Sequence, residues 1–299
     1  MTLAIGIKLP HTGTIDPARI ADRARELERA GFDSLWVSDH VVLPEQITSY
    51  YPFATDGVVT WASDQPWVET VVVLAVAAAV TERVRIGSAV LIAPQRNPVL
   101  LAKQIGSVDA VSGGRIDLGV GAGWLREEFE ALDTDFDSRG PRLEEWIELI
   151  RDCWSGRPAA HAGEHYQLAA GTLMLPPPPH AVPILVGGHT KAALRRAGQL
   201  GDGWLGQQAV PELSIADLRR EIGTIRTAAD KAGRDPAVLR MVLRLVESTG
   251  RHDEIAAAIP ALSAVGIDEI IVDVDPTHGD PVAVHGVLRA AAERPGTPR

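Results

Sequence analysis

Cysteine is almost absent from this chain of 299 residues, which contains only Cys153. A single thiol excludes an internal disulfide framework and any metal cluster built from cysteines. Cys153 lies beside Trp154 in a helical pattern, which favours a packed thiol over a nucleophile. The lack of disulfides suits a reducing compartment, and we expect a cytoplasmic protein.

Positive charge is also in deficit, with 29 Lys and Arg against 39 Asp and Glu and a net charge of −10. We therefore expect no nucleic-acid partner, and the acidic surface favours solubility. The most apolar run, residues 71–80, is too short to cross a bilayer, so no membrane association is expected. A strand pattern at residues 3–9 stands at the N-terminus, and no signal peptide is expected.

Three motifs of common enzyme classes are missing. No glycine fingerprint follows the first strand, which argues against a dinucleotide-binding Rossmann fold. The sequence has no G-x-S-x-G for a serine hydrolase and no H-E-x-x-H for zinc. We predict no metal site.

Strand patterns and helix patterns alternate along the chain. The predicted strands are residues 3–9, 33–38, 85–92, 116–120, 182–186, 202–205, 239–246 and 269–274. The predicted helices are residues 16–30, 67–81, 98–111, 141–154, 189–200, 212–232, 253–265 and 281–293. Eight such alternations indicate an α/β fold, a single (β/α)8 TIM barrel, with residues 1–299 as one domain. Irregular insertions follow strand two (residues 39–66) and precede strand five (residues 156–182); a doubly wound open sheet is the alternative.

The fourth predicted strand ends in Gly119, Gly121 and Gly123, directly before Trp124. Glycines at the end of a strand let the backbone bend and let a flat ligand approach closely. The same pattern also fits a tight turn with a packing tryptophan, so it needs support from neighbouring strand ends.

Functional groups of a barrel gather where its strands end. His11 follows strand one and the pair Asp39-His40 follows strand two. An imidazole beside a carboxylate can handle a proton near neutral pH, although a histidine at a strand end is often structural. Gly187-Gly188 precede a helix, where free N–H groups favour an anion or form an ordinary capped start.

Taken together, these segments resemble the luciferase-like monooxygenase superfamily, in the branch that uses the deazaflavin coenzyme F420. The matching segments cover about two thirds of the chain, from strand one through strand six. They are residues 31–40 (GFDSLWVSDH), 86–91, 96–98, 112–115, 118–128, Arg142 and 186–188.

The resemblance implies a flat tricyclic cofactor, coenzyme F420 or alternatively FMN, lying across the barrel mouth. Asp39 and His40 match the residues at the deazaflavin edge, with His40 in the catalytic or proton-handling role. Ala89-Val90 matches a non-proline cis peptide that bulges toward the ring. Gly121, Gly123 and Trp124 would line the ring, and Gly187 and Gly188 would face the cofactor phosphate.

The substrate is expected under residues 39–66, where Tyr50, Tyr51, Phe53 and Trp61 could form an apolar lid, with His11 nearby. A packed surface excursion or a dimer contact is the alternative for this segment. In the sugar-phosphate dehydrogenases of the branch, a glutamate follows the glycines of strand four. Trp124 follows them here, and Glu127 comes one helical turn later, so a phosphorylated sugar is not expected.

Three functions are compatible with the sequence. The first is hydride transfer between F420 and a small organic substrate. The second is oxygen insertion by an FMN-dependent two-component monooxygenase that is fed by a separate reductase. The third is a barrel that binds a ligand without catalysis. The resemblance also implies a homodimer.

Overall fold

Eight parallel strands close into a ring in the computed structural model, which describes residues 2–13, 15–54, 56–59, 61–275 and 277–293. Each strand pairs with the next one in the chain, and the last pairs with the first. The TIM barrel is thereby confirmed and the open sheet excluded. The strands are β1 (Ala4–Lys8), β2 (Ser34–Val37), β3 (Arg85–Ser88), β4 (Ile116–Gly121), β5 (Ile184–Gly187), β6 (Gly203–Ala209), β7 (Arg240–Val246) and β8 (Glu269–Val272).

The helices surround this ring. They are α1 (Ile20–Arg29), α2 (Thr70–Val80), α3 (Pro98–Ser112), α4 (Arg126–Ala131), α5 (Arg139–Cys153), α6 (Lys191–Leu200), α7 (Ile215–Lys231), α8 (His252–Val265) and α9 (Pro281–Ala292). Helix α3 shows why the boundaries were readable: the Asn97 side chain caps it, Pro98 is its first residue, and Gly113 ends it at φ +73°. The short α4 was not predicted. Among the described residues, no helix combines the length and the apolar character needed to cross a membrane.

Side chains that point into the barrel form three levels. At the lower level, Asp117 accepts hydrogen bonds from Arg85 and Arg240. The middle level is apolar and is made by Trp36, Ala89, Leu185, Leu205, Val242 and Ile271. The upper level opens to the rim and carries polar side chains. Alternation along β7 follows this scheme, because Arg240 and Arg244 occupy the lower and upper levels with Val242 between them.

The predicted third strand, residues 85–92, is interrupted. Strand β3 ends at Ser88, the Ala89–Val90 peptide bond is cis, and the pair Leu91–Ile92 resumes pairing with β4. The predicted cis peptide is therefore present, at the end of β3 where the barrel opens.

The two predicted insertions have little regular structure. After β2, the described residues up to α2 form only an isolated bridge between Thr12 and Trp67, and α2 begins at Thr70 rather than at residue 67. Between α5 and β5, His161–Ala162 pairs antiparallel with Gln167–Leu168. The assignment of all 299 residues to one domain stays a prediction.

Candidate active site

A cavity of about 980 Å³ opens at the carboxyl ends of the strands. Most of the predicted site residues line it. They are Asp39, His40, Tyr51, Trp61, Ala89, Val90, Trp124, Gly187 and Gly188. The remaining four, His11, Tyr50, Gly121 and Gly123, are not among its lining residues.

His40 is held by a residue that the sequence did not single out. Its Nδ1 atom lies 3.0 Å from the Oε2 atom of Glu128, which is buried on α4. The other Glu128 oxygen accepts the N–H groups of Val41 and Val42, at 2.5 and 3.3 Å. Nε2 of His40 has no hydrogen-bond partner among the described residues, so it is the ring nitrogen left for a ligand in the cavity.

Asp39, expected to be the carboxylate that assists His40, is engaged elsewhere. Its two oxygens accept a bidentate pair of hydrogen bonds from Arg96, at 2.6 and 2.7 Å. They also accept the Thr70 hydroxyl at 2.7 Å and the Ile92 N–H at 2.8 Å. The interpretation of Asp39 as the partner of His40 was therefore wrong, because Glu128 has that position. Asp39 thus ties the start of the segment 39–66 to α2 and to the pair Leu91–Ile92 that follows β3.

Three tryptophans surround the His40 ring. The ring centroids of Trp67, Trp61 and Trp124 lie 4.8, 5.6 and 6.0 Å from that of His40. Trp67 had been assigned to the start of a helix, but it lies before α2 and joins this group. These aromatic rings pack around the buried imidazole and give the cavity a largely apolar wall beside it.

The glycines at the ends of β4 and β5 make room for Val90. A Cβ atom on Gly121 would lie 2.6 Å from one Val90 methyl, and one on Gly187 would lie 2.9 Å from the other. Gly123 has φ +86°, and a Cβ there would meet Ile92 and Phe129 at 2.7 Å. Gly121 and Gly123 thus allow close packing of the chain around the bulge, while Val90 itself lines the cavity.

Gly187 and Gly188 lead directly into α6. The Thr190 side chain caps this helix by accepting the Ala193 N–H, and the Trp204 indole donates to the Gly188 carbonyl at 2.9 Å. The remaining N–H groups of the first turn have no partner inside the helix. Because α6 begins at the rim, these groups form a site suited to a phosphate.

His189, beside these glycines, also lines the cavity. Its Nδ1 atom lies 2.9 Å from Glu221 Oε1, and its Nε2 atom accepts the Gln207 backbone N–H at 2.9 Å. Both ring nitrogens are therefore engaged within the protein. This fixes the ring orientation and makes His189 a wall residue rather than a second proton carrier.

His11 and Tyr50 lie away from the cavity. The two ring nitrogens of the buried His11 lie 2.9 Å from the Leu9 and Ser38 carbonyl oxygens. Burial lowers the pKa of His11 to about 4, so the neutral ring has one N–H and donates it to one of these two carbonyls. Tyr50 is 66% exposed. A substrate role for these two residues stays a prediction, and neither position supports it.

The segment of residues 39–66, which we call the lid, is anchored at the rim by Glu127. The Glu127 carboxylate accepts hydrogen bonds from the backbone N–H groups and the hydroxyls of Thr48 and Ser49, at 2.5–3.0 Å. Partial burial would raise the pKa of Glu127, but these hydrogen bonds bring it down to about 2. The lid also places Tyr51 against Trp124, with ring centroids 5.0 Å apart.

These features fit a flavin-type cofactor. The cavity has the volume for a tricyclic ring and a polar chain, the Val90 bulge and Trp124 offer apolar surfaces for a flat ring, and the α6 N-terminus offers N–H groups for a phosphate. His40 Nε2 is available at the same cavity.

Comparison with known sequences assigns the family. The sequence model described as "luciferase-like monooxygenase" matches residues 3–291. The chain belongs to this family. An uncharacterized protein of Mycobacterium tuberculosis is 38% identical over 211 residues, which is 71% of each chain. An F420-dependent glucose-6-phosphate dehydrogenase of Gordonia bronchialis is 31% identical over 235 residues, 76% of this chain and 63% of the relative.

Two solved structures share the fold of this chain. An F420-dependent secondary alcohol dehydrogenase, in complex with an F420–acetone adduct, superposes with a TM-score of 0.79 at 17% identity, over 98% of this chain and all of the other. The FMN-bound oxygenating component of a diketocamphane monooxygenase from Pseudomonas putida gives 0.68 at 14% identity, over 98% of both chains. At these identities the likeness shows the fold alone. Family and relatives together support an oxidoreductase with a deazaflavin or flavin cofactor.

Proposed function

We propose that this protein is a coenzyme F420-dependent oxidoreductase, which transfers a hydride between the deazaflavin and a small organic substrate. The observation that carries the proposal is the placement of His40, whose free Nε2 atom lies at a cavity that also contains the Val90 bulge and Trp124. The relatives that depend on F420 favour the deazaflavin over FMN. A bound deazaflavin supplies the hydride carrier, at C5 of its ring.

The protein's own residues would bind and orient the cofactor and the substrate, and they would exclude water from the cavity. Val90 and Trp124 would lie against the ring, and the N–H groups at the start of α6 would hold the phosphate. The lid closes the cavity over the substrate, because its Tyr51 packs on Trp124 and its outer part is bound by Glu127. Water exclusion by the lid strengthens electrostatic contacts inside the cavity.

His40 would hold or deliver the proton that accompanies hydride transfer. The Glu128 carboxylate fixes the orientation of the ring, so that Nε2 would face the substrate. Glu128 thus takes the positioning role that Asp39 was expected to have. A homodimer and, for the FMN alternative, a separate reductase remain part of the proposal without further support from the geometry.

Cofactor titration tests the proposal. The chain has seven tryptophans, of which Trp124, Trp61 and Trp67 line the cavity. Addition of F420 should quench their fluorescence with an affinity at least about tenfold above that of FMN or FAD. Trp124→Phe should remove much of the quenching, while Trp154→Phe, which alters a tryptophan outside the cavity, should not. Tighter binding of FMN would replace the proposal with the two-component monooxygenase, and the absence of quenching by all three would leave a ligand-binding barrel.

His40→Ala tests the chemical role. With cyclohex-2-enone as oxidant of reduced F420, kcat should fall roughly 100-fold or more while the cofactor affinity is retained. Full kcat in this variant would remove His40 from the mechanism.

A further inference from the structure

The upper level of the barrel contains a lysine without a partner. Lys8, at the end of β1, lines the cavity, and its ammonium group makes no hydrogen bond or ion pair with the described residues. Burial lowers the pKa of Lys8 to about 8, with a further contribution from Arg244. Lys8 is half-buried, and a partly desolvated cation without a partner is costly, so its position requires an explanation.

Arg244 stands beside it with incomplete contacts. Its guanidinium donates to the Ser38 hydroxyl at 2.9 Å and to the Ala89 carbonyl at 3.3 Å, but its nearest carboxylate, Asp273, is 3.8 Å away. Its Nε atom is buried and has no hydrogen-bond partner. Arg244 therefore reaches from β7 to the Val90 bulge with donor capacity left over.

In the lower level of the same barrel, the cationic side chains have carboxylate partners. There, Arg85 and Arg240 both bond the buried Asp117, and Arg240 also contacts Glu269 at 3.1 Å. Two arginines are thus matched by two carboxylates inside the fold. At the upper level, Lys8 and Arg244 face the cavity, and among the described residues only Asp273, 3.8 Å from Arg244, lies within ion-pair distance of either. The other carboxylates of the cavity wall, Asp39, Asp56, Glu212 and Glu247, make no ion pair with these two cations.

We propose that Lys8 and Arg244 form an anion subsite that recognises a carboxylate group of the substrate. This inference rests on the proposed function, since it takes the same cavity as the substrate site. A monoanion fits better than a phosphate dianion, because Asp273 and other carboxylates line the same cavity and would repel a second negative charge. The aromatic wall formed by Trp61, Trp67 and Trp124 is suited to an apolar body attached to that carboxylate.

The position of the subsite in the ring separates it from the proposed phosphate site. Lys8 is on β1 and Arg244 on β7, while Gly187-Gly188 stand at the end of β5. In the eight-stranded ring, β1 and β5 lie on opposite sides, and β7 lies two strands from each. A substrate carboxylate bound by Lys8 would then leave the α6 N-terminus to the cofactor.

Three matched probes test the subsite: trans-cinnamate, the neutral trans-cinnamamide and the dianionic trans-styrylphosphonate. Calorimetric titration of the full chain, with and without saturating cofactor, should show cinnamate binding about 10- to 100-fold more tightly than the amide, as expected for charge-assisted hydrogen bonds. Lys8→Met should bring this ratio close to one, Lys8→Arg should retain it, and Lys231→Met, on the exposed end of α7, should leave it unchanged.

Other outcomes overturn the proposal. Equal binding of cinnamate and amide, or a preference that survives in Lys8→Met, would exclude the subsite. Tighter binding of the phosphonate would exclude a monoanion. Loss of cinnamate binding on cofactor addition, with weaker cofactor binding in Lys8→Met, would assign the cations to the acidic groups of the cofactor. Cinnamate selectivity without binding of F420 would support the subsite and contradict the proposed function. Binding of F420 without cinnamate selectivity would support the proposed function and contradict the subsite.

Discussion

The Nδ1 atom of His40 lies 3.0 Å from the carboxylate of Glu128, a residue 88 positions further along the chain. Both side chains are buried, at 8% and 1% exposure, so water does not screen their interaction. The carboxylate fixes which ring nitrogen is left for the cavity, and any proton chemistry at His40 depends on it.

Glu128→Gln should therefore impair turnover without loss of cofactor binding. The amide keeps the shape of the side chain but removes the carboxylate that holds the His40 ring. We expect kcat to fall on the order of 10- to 100-fold, less than for His40→Ala.

Glu130→Gln, on the exposed side of α4, is the matched control and should leave kcat unchanged. An unaltered kcat in Glu128→Gln would mean that the carboxylate only holds the lid backbone through Val41 and Val42.

Asp39→Asn should mainly reduce stability. The change removes the charge that faces Arg96 in a bidentate pair, and a buried ion pair that loses one partner typically costs about 3 kcal/mol or more. Urea unfolding should show this loss, whereas Asp64→Asn on the exposed lid surface should have no measurable effect. Loss of turnover with unchanged unfolding free energy would restore Asp39 as a catalytic residue.

The adjacent pair Asp39-His40 illustrates what the sequence could and could not predict. Neighbouring residues in extended chain point to opposite sides, so a carboxylate next to a histidine in sequence is badly placed to meet its ring. Glu128 meets it only because barrel closure brings the start of α4 beside the end of β2. Local sequence patterns carry no signal for such a contact, although Glu128 does lie within the segment 118–128 that resembles the family.

The fold itself was predictable because each element has a local signal. Along β7, successive side chains alternate between the inside and the outside of the barrel. Helix α3 has a side-chain cap, a first-turn proline and a terminal glycine. The break of the third strand at Ala89–Val90 has no signal of this kind, and it was expected only from the family resemblance. The upper-level role of Lys8 also escaped local analysis, since a lysine at a strand end is usually exposed and solvated.

Gly121→Ala should disturb the bulge at the cavity. The added methyl group would lie 2.6 Å from Val90, whose other methyl group is confined by Gly187, and valine has few rotamers with which to respond. We expect a loss of about 1–3 kcal/mol in the free energy of unfolding and weaker F420 binding.

The double variant Gly121→Ala/Val90→Ala should recover much of that stability, because it removes the clashing methyl groups. Gly223→Ala, on α7 with open space around it, should be neutral or stabilising. Failure of the Val90 change to rescue stability would show that Gly121 is needed for its backbone rather than for the space it leaves.

The lower level of the barrel should make stability depend on pH. Burial would raise the pKa of Asp117, but hydrogen bonds from Arg85 and Arg240 lower it below the ordinary value of 3.8. A carboxyl group whose pKa is lowered on folding contributes stability above its unfolded pKa, and that contribution is lost as the pH falls below about 4. Urea unfolding between pH 6 and pH 3 should follow this loss.

Asp117→Asn should cost about 3–5 kcal/mol at pH 7 and flatten the acid limb of this curve, since the two arginines lose their charged partner. Asp230→Asn, exposed on α7, should leave the curve as in the wild type. An acid limb that keeps its slope in Asp117→Asn would assign the acid sensitivity to other carboxylates.

Glu127 and Glu128 are consecutive, yet one anchors the outer part of the lid and the other holds the His40 imidazole. A rigid tilt of the short helix that carries them would displace both contacts at once. Under the proposed function, opening of the lid to a substrate and loss of the orientation of His40 would then be two effects of one motion, and a proton would be delivered only while the lid is closed.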